Sequence, residues 1–353
     1  MTGSIIVGGL RSAFGAARFA ASRAELDLMA PSFEAGVFFL LGMSASLAFE
    51  WGALFRPMAE RFHLTDSEIG DTTAWVPSLR RARAKRVSKE VYKSSYVPNV
   101  FLRPRVCTVG GGAVAVVIPA LIRSDAERET LQACVASIAS DQSVKNIIVV
   151  DDGSPSPLRL SGCTVVRHAL NCGPAAARNS GMRLALEAGA GTIVFTDADC
   201  CPLPGWASAH ATLQKTAPGV WAGHTVAAGT GLVSRYHNAI GTLMPRVFLG
   251  RGDAALYGPT CNLSISRSVA SSVAFDASFP TSAFEDCDFC VRAHAAGFTV
   301  RASAHPLVAH HFDERVRGLL STYHKYGRSQ PLMMRKHPGY ADKMDVSEPA
   351  TAQ

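Results

Sequence analysis

Asp197-Ala198-Asp199 closes the apolar run Thr192–Thr196. In an extended segment residues i and i+2 point to one side, so both carboxylates can face one divalent cation. Hard oxygen ligands suit Mg2+ or Mn2+, and such an ion would neutralise a diphosphate. Asp151-Asp152-Gly153-Ser154 ends a second apolar run. A carboxylate there could accept the ring N–H of a uracil or guanine base, or it could simply close an Asx turn. In Asn171-Cys172-Gly173-Pro174-Ala175-Ala176-Ala177-Arg178-Asn179, Gly173 lets the backbone approach a ligand and Pro174 opens a helix. Helix N-termini attract phosphate, and Arg178, one turn in, either faces a nucleotide or is the surface arginine of an ordinary helix entry.

Glu285-Asp286-Cys287-Asp288 opens another helical stretch that runs to Gly297. Acids in a first turn complement the helix dipole, which is one reading of this cluster. The other makes Asp286 a general base that takes a proton from a hydroxyl. His310 and His311 follow the short apolar segment Pro306–Ala309. A ring nitrogen of one of them could complete the metal site, or the pair could be structural.

The elements that must position these residues read as strands and helices in alternation. Residues 113–120 (AVAVVIPA), 146–152 (NIIVVDD), 164–168 (TVVRH) and 192–197 (TIVFTD) have the continuous apolar character of strands covered on both faces. Ser124 and Glu127 form a capping box ahead of a helix whose Leu131, Cys134, Val135 and Ile138 recur at helical spacing. A second helix runs from Pro174 to about Gly189. The order predicts a mainly parallel α/β sheet flanked by helices, with ligands beyond the carboxyl ends of the strands. The polar clusters sit at those ends.

Apolar residues make up 48% of the 353 and charged residues 18%, which excludes global disorder. The net charge of +7 is uneven, with a basic run of Arg80, Arg81, Arg83, Lys85, Arg86, Lys89 and Lys93. That run fits a solvated helix face or linker, or contact with anionic lipid headgroups. Its sparse aromatic residues argue against nucleic acid. Residues 35–49 are uncharged and strongly apolar. They are shorter than the roughly 20 residues a spanning helix needs, so a buried or interfacial helix is expected. The first 25 residues combine Arg11, Arg18 and Arg23 with scattered apolar positions, as in an interfacial amphipathic helix or a poorly ordered terminus. Nine scattered cysteines do not form a disulfide framework and fit a reducing cytoplasm. The isolated Cys287-x-x-Cys290 lacks a second pair for structural zinc.

Taken in order, VVIPA (116–120), VVDDGS (149–154), NCGPAAARN (171–179), FTDADC (195–200), the CNLSISR strand (261–267), FEDCDFCVRAHAAGF (284–298) and VAHH (308–311) resemble the inverting family 2 glycosyltransferases of GT-A fold. Each motif is short, and their shared order and spacing make the match specific. The resemblance implies a Rossmann-like, nucleotide-diphospho-sugar transferase fold over residues 112–312. Residues 1–111 would form a mostly helical, basic extension and residues 313–353 a C-terminal helix and tail. Pro119 and Ala120 would border the base, with Asp151 and Asp152 at its edge and Gly173, Arg178 and Ala198 along the donor. Asp197 and Asp199 would serve metal and ribose, Asp199 being the direct ligand of Mn2+ or Mg2+, with His310 a further metal or diphosphate contact. Asp286 would be the base of a single in-line displacement with inversion.

The implied partners are a UDP- or GDP-linked sugar and an acceptor that is a glycan, lipid, peptide or metabolite. The implied setting is cytoplasmic, with possible peripheral contact at the inner face of the membrane and no nucleic acid. One departure is the loop LIRSDAE after IPA, where the family has a polar Tyr-Asn-like pair. The 223–260 segment is expected to shape the acceptor site. A nucleotidyltransferase would place a glycine-rich basic loop after the first strand, and ALIRSDAE has no glycine. A non-catalytic nucleotide-sugar-binding scaffold would not need Asp197, Asp199 and Asp286 together.

Overall fold

A computed structural model of the chain describes residues 113–279 and 281–350. The expectations for the N-terminal extension, the 35–49 segment and the basic run lie outside the described residues.

The first half alternates as expected: β1 (Val114–Ala120), α1 (Asp125–Ala139), β2 (Val144–Asp151), β3 (Thr164–Arg167), α2 (Pro174–Glu187) and β4 (Thr192–Phe195). Short β5 (Cys200–Pro202), α3 (Trp206–Thr216), β6 (Val220–Ala227) and α4 (Leu232–Ile240) follow, then β7 (Arg246–Phe248) and β8 (Ala255–Tyr257). Next come β9 (Leu263–Ser266), α5 (Arg267–Ser272), α6 (Glu285–Ala295), β10 (Val300–His310), α7 (Val316–Lys336), α8 (Tyr340–Asp345) and β11 (Ser347–Pro349).

Among the described residues the main sheet runs β3-β2-β1-β4-β9-β6-β10-β5. β3, β2, β1 and β4 are mutually parallel, β9 is antiparallel to both its neighbours, and β6 and β10 are parallel. β11, β7 and β8 form a small second sheet. Mixed α/β layering with a mainly parallel sheet is the class that the alternation of strands and helices in the sequence predicts.

The continuous apolar strands are explained by burial on both faces. Along β1 and β2, Ala115, Val117, Ile148 and Val150 face one core with Ala185 of α2 and Phe289 of α6. Val116, Ile118, Ile147 and Val149 face the other, with Leu131 and Ile138 of α1. The capping box at Ser124 is complete: Ser124 accepts from the Glu127 backbone N–H, and the Glu127 carboxylate accepts from the Ser124 N–H. Helix α2 lies close to the sheet because its inner face is small. A Cβ on Gly181 would stand 2.3 Å from Cγ1 of Val117.

Two stretches differ from the sequence expectation. The segment read as a strand over 261–267 begins with a 3-10 turn at Thr260–Asn262 and becomes strand only at Leu263. Buried Asn262 explains the turn, since it accepts from the Trp206 indole and bonds the His210 ring through Oδ1, and donates to the carbonyls of His224 and Pro306. The apolar segment before His310 is the end of an eleven-residue strand, β10. Its pairing with β6 slips between Ser303 and Leu307, which interrupts the alternation.

Candidate active site

Gly153, at φ 78°, turns the chain after β2, and a Cβ there would meet the Asn171 backbone N at 2.7 Å. The two acids before it are fully engaged with protein. Asp151 is buried, accepts from the backbone N–H of Ser154 and Leu158, and pairs with Arg167. Asp152 accepts from the N–H groups of Cys172 and Gly173 at 2.9 and 2.8 Å and bonds His168 Nδ1 at 2.7 Å. Asp152 thereby shapes the loop that enters α2. Gly173, the residue before α2, has φ 86°, and a Cβ there would meet nothing within 4 Å, so backbone angle is what demands glycine. Pro119 and Ala120 lie beside this turn, where the Ala120 carbonyl accepts from the Asp152 N–H. His168 had no assigned role in the sequence. Its other nitrogen reaches Ser180 Oγ at 2.9 Å, so it ties Asp152 to α2.

Past β4 the chain carries Asp197, Ala198 and Asp199 straight into β5. β5 pairs antiparallel with the end of β10, opposing Cys200 to His310. The Asp199 carbonyl also accepts from the His311 N–H. As a result His310 Nε2 stands 3.4 Å from Asp199 Oδ1, with Cys200 completing a cluster of possible ligand atoms. Water reaches the Asp199 side chain while protein surrounds it on its other sides. Its carboxyl is pushed up by desolvation, an effect that His310 opposes and Asp197 reinforces. Burial likewise drives the Cys200 thiol well above its ordinary value, which keeps it protonated. That leaves a carboxylate and an imidazole, a donor set that fits Mn2+ or Mg2+ better than a thiophilic ion. Adjacent ligands of an octahedral ion sit roughly 3 Å apart, close to the Asp199–His310 separation.

Arg178 does not reach the surface. It is 3% exposed, and its two amino groups bond Asp197 Oδ1 at 2.9 Å and Glu285 Oε1 at 2.8 Å. Desolvation works against its charge, but the two carboxylates outweigh it and raise its pKa. Glu285 is held up near 7 by burial and by Asp286, against the pull of Arg178. The sequence placed Glu285 only as a helix-opening acid. Its partner lies 107 residues away, and no local pattern signals such a pair.

Asp286 follows at the start of α6. Its Oδ1 accepts from the Cys287 N–H at 2.8 Å, and the Thr260 N–H of the 3-10 turn supports it from another element. Burial raises its carboxyl pKa, with Arg178 opposing. Phe284, at φ 68°, sets the entry into α6 and packs edge-on against Tyr326 of α7. Tyr326 in turn contacts the ring of Tyr323, whose hydroxyl is 2.7 Å from that of Tyr236 on α4. The structure thus brings Asp197, Arg178, Glu285 and Asp286 into one network and Asp199 and His310 into a pair beside it. Asp151 and Asp152 act on the loops at the β2 end.

Residues 115–276 match the family described as glycosyl transferase family 2. Over that stretch the chain is similar to the family 2 glycosyl transferases. The pre-mycofactocin glycosyltransferases of two Mycobacterium tuberculosis strains are 28% identical over 225 residues, 57% of this chain. The chain spans just under half, 45%, of the length of those relatives. Among solved structures, S. aureus TarS residues 1–349 match with 16% identity and TM-score 0.41, covering 56% of this chain and 59% of that one. GalNAc-T7, crystallised with UDP, GalNAc and Mn2+, matches with 13% identity and TM-score 0.44, covering 59% and 47%. No helix of the described residues is long and apolar enough to cross a membrane.

Proposed function

We propose that the family 2 domain, over residues 112–312, moves a sugar from a UDP- or GDP-linked donor to an acceptor hydroxyl by single displacement with inversion. The observation that carries this reading is the gathering of Asp199 with His310, and of Asp286 with Glu285, Arg178 and Asp197, from the segment after β4, the end of β10 and the first turns of α2 and α6. Asp199 and His310 would hold Mn2+ or Mg2+, which supplies charge neutralisation for the departing diphosphate. The loop ordered by Asp152 would border the base together with Pro119, Ala120 and Asp151. Gly173, whose own N–H is taken by Asp152, would set the first turn of α2 toward phosphate. Asp197 would offer its second oxygen, and Ala198 its backbone, to the ribose side of the donor.

Asp286 would take the acceptor proton. A carboxylate is ordinarily a weak base near neutral pH, and burial of Asp286 shifts it in the direction that base catalysis requires. Tyr326 of α7 stands near it, so α7 would flank the acceptor.

Thermal-shift binding of UDP, GDP and their sugars with and without Mn2+ tests the donor half. A metal-dependent shift with one nucleotide, lost in Asp199→Ala, is expected. No shift with any nucleotide in folded protein would overturn it. Asp286→Asn tests the other half: donor binding persists, while transfer falls about 100-fold or more. Transfer that survives in Asp286→Asn would show that another group is the base.

A further inference from the structure

Arg178 has two carboxylate partners on two different elements, buried Glu285 and half-buried Asp197. Asp197 belongs to the segment that carries Asp199, and Glu285 is the residue before Asp286. The guanidinium reaches both because its two amino groups diverge, a geometry lysine cannot copy. Phe275 lies under it, its ring centroid 5.7 Å from the guanidinium carbon, so the arginine is fixed in place by packing as well as by charge. The same phenylalanine is hinged to α2 by Asn179, which donates to the Phe275 carbonyl and accepts from its N–H, both at 2.8 Å. Arg178 Nε and Glu285 Oε2 remain buried without a hydrogen-bond partner. An arrangement evolved only for stability would satisfy or omit such atoms, since each costs free energy to bury.

From this we infer that Arg178 is a positioning residue that couples the cation-holding segment to the helix bearing the base, and does so through Asp197 without touching the nucleotide. This rests on the proposed transfer reaction. The physical link is charge sharing. With Glu285 ionised, the positive charge of Arg178 is divided between two carboxylates, and Asp197 keeps negative charge to offer beside the cation. With Glu285 neutralised, Arg178 draws on Asp197 alone and leaves more positive charge next to the ion.

The experiment is Mn2+ affinity, read from water-proton relaxation in the presence of UDP or GDP, for four full-length proteins. These are wild type, Glu285→Gln, Asp197→Asn and the double variant. Glu285→Gln is expected to weaken Mn2+ by about fivefold in the wild-type background. In the Asp197→Asn background the same change should have less than about a twofold effect, because the route through Arg178 is gone. An equal effect in both backgrounds would mean that Glu285 acts only by its long-range field, and the inference falls while the proposed function stands. The absence of any effect has the same consequence. If wild type binds no Mn2+ with either nucleotide, the metal-dependent reading fails and the coupling fails with it. Should Glu285→Gln not fold, Arg178→Lys, which keeps the buried positive charge, is compared across the same two backgrounds with the same criteria.

Discussion

Acidification should loosen the turn that seats the proposed base, through a histidine far from it in sequence. His210 is fully buried, packed edge-on to Trp206, with Nε2 3.0 Å from Asn262 Oδ1 and Nδ1 without a partner. Neutral imidazole fits this site, since Nε2–H donates to Asn262 and Nδ1 needs no proton. Protonation would bury a charge and an unpaired N–H, so burial depresses the pKa to about 3. The unfolded chain, with a value near 6.5, takes up a proton that the folded chain refuses. Stability from His210 is therefore fully present above pH 6.5 and is lost as pH falls toward 3, at about 1.4 kcal/mol per pH unit. At pH 5 the loss is about 2 kcal/mol, and any folded value below about 4 gives the same figure. For a domain of this size that lowers Tm by roughly 4–8 °C. His237, His224 and His294 are also depressed by burial, so the wild-type slope contains their share. The decisive comparison is with His210→Gln, whose amide can still donate to Asn262. Thermal melts by circular dichroism between about pH 7.5 and pH 5 should show a shallower loss in the variant, by about 2 kcal/mol at the acid end. Identical slopes in the two proteins would refute the reasoning.

Two further outcomes follow from packing and charge. Gly181→Ala gains about 1 kcal/mol of helix propensity but forces a methyl against Val117, where overpacking costs about 1–3 kcal/mol. The urea midpoint should fall at unchanged m, and Mn2+ binding should weaken because Arg178, which bonds Asp197, lies one turn away on the same helix. Asp276 is nudged upward by burial but pulled down more strongly by Lys336 and Ser278, to about 2. It is partly exposed, so Asp276→Asn should cost only about 1 kcal/mol at neutral pH. The sign follows from the lowered pKa: the difference between wild type and variant is fully present above about pH 4 and vanishes as pH falls through 2, measurable by urea unfolding at two pH values.

The parallel half of the sheet was legible because strands covered on both faces must be continuously apolar, and β1, β4 and the Ile147–Val150 part of β2 have that character. β5 was not legible. It has three residues, Cys200, Cys201 and Pro202, and exists only because the end of β10 lies beside it. No local preference could announce a strand whose sole support is a neighbour a hundred residues on. The same holds for the 3-10 turn at Thr260–Asn262, part of which the family resemblance assigned to a strand and a buried asparagine network reshaped. Asp199 and His310 could be named from motif resemblance, but the reason they meet is that antiparallel pairing. Arg178 shows the opposite limit. Its helix position was clear, whereas its orientation depended on two acids from different elements, so its burial was invisible to spacing.

The arrangement of charge also gives a reason why such a site should want a cation. Asp197, Asp199, Glu285 and Asp286 supply four carboxylates, against the one fixed positive charge of Arg178. Desolvation pushes three of them, Asp199, Glu285 and Asp286, toward protonation. A protein selected for stability alone would replace such a cluster with apolar residues, because buried charge seldom repays its desolvation. Here Arg178 offsets part of the charge of Asp197, Glu285 and Asp286 in the interior, while Asp199 lies at the edge beside His310, where water still enters. A divalent ion at that edge would return the carboxylates to their charged forms and add binding free energy to folding free energy. The cost of gathering the acids would then be offset on arrival of donor and ion, which would make the ligand-bound form the electrostatically relaxed one.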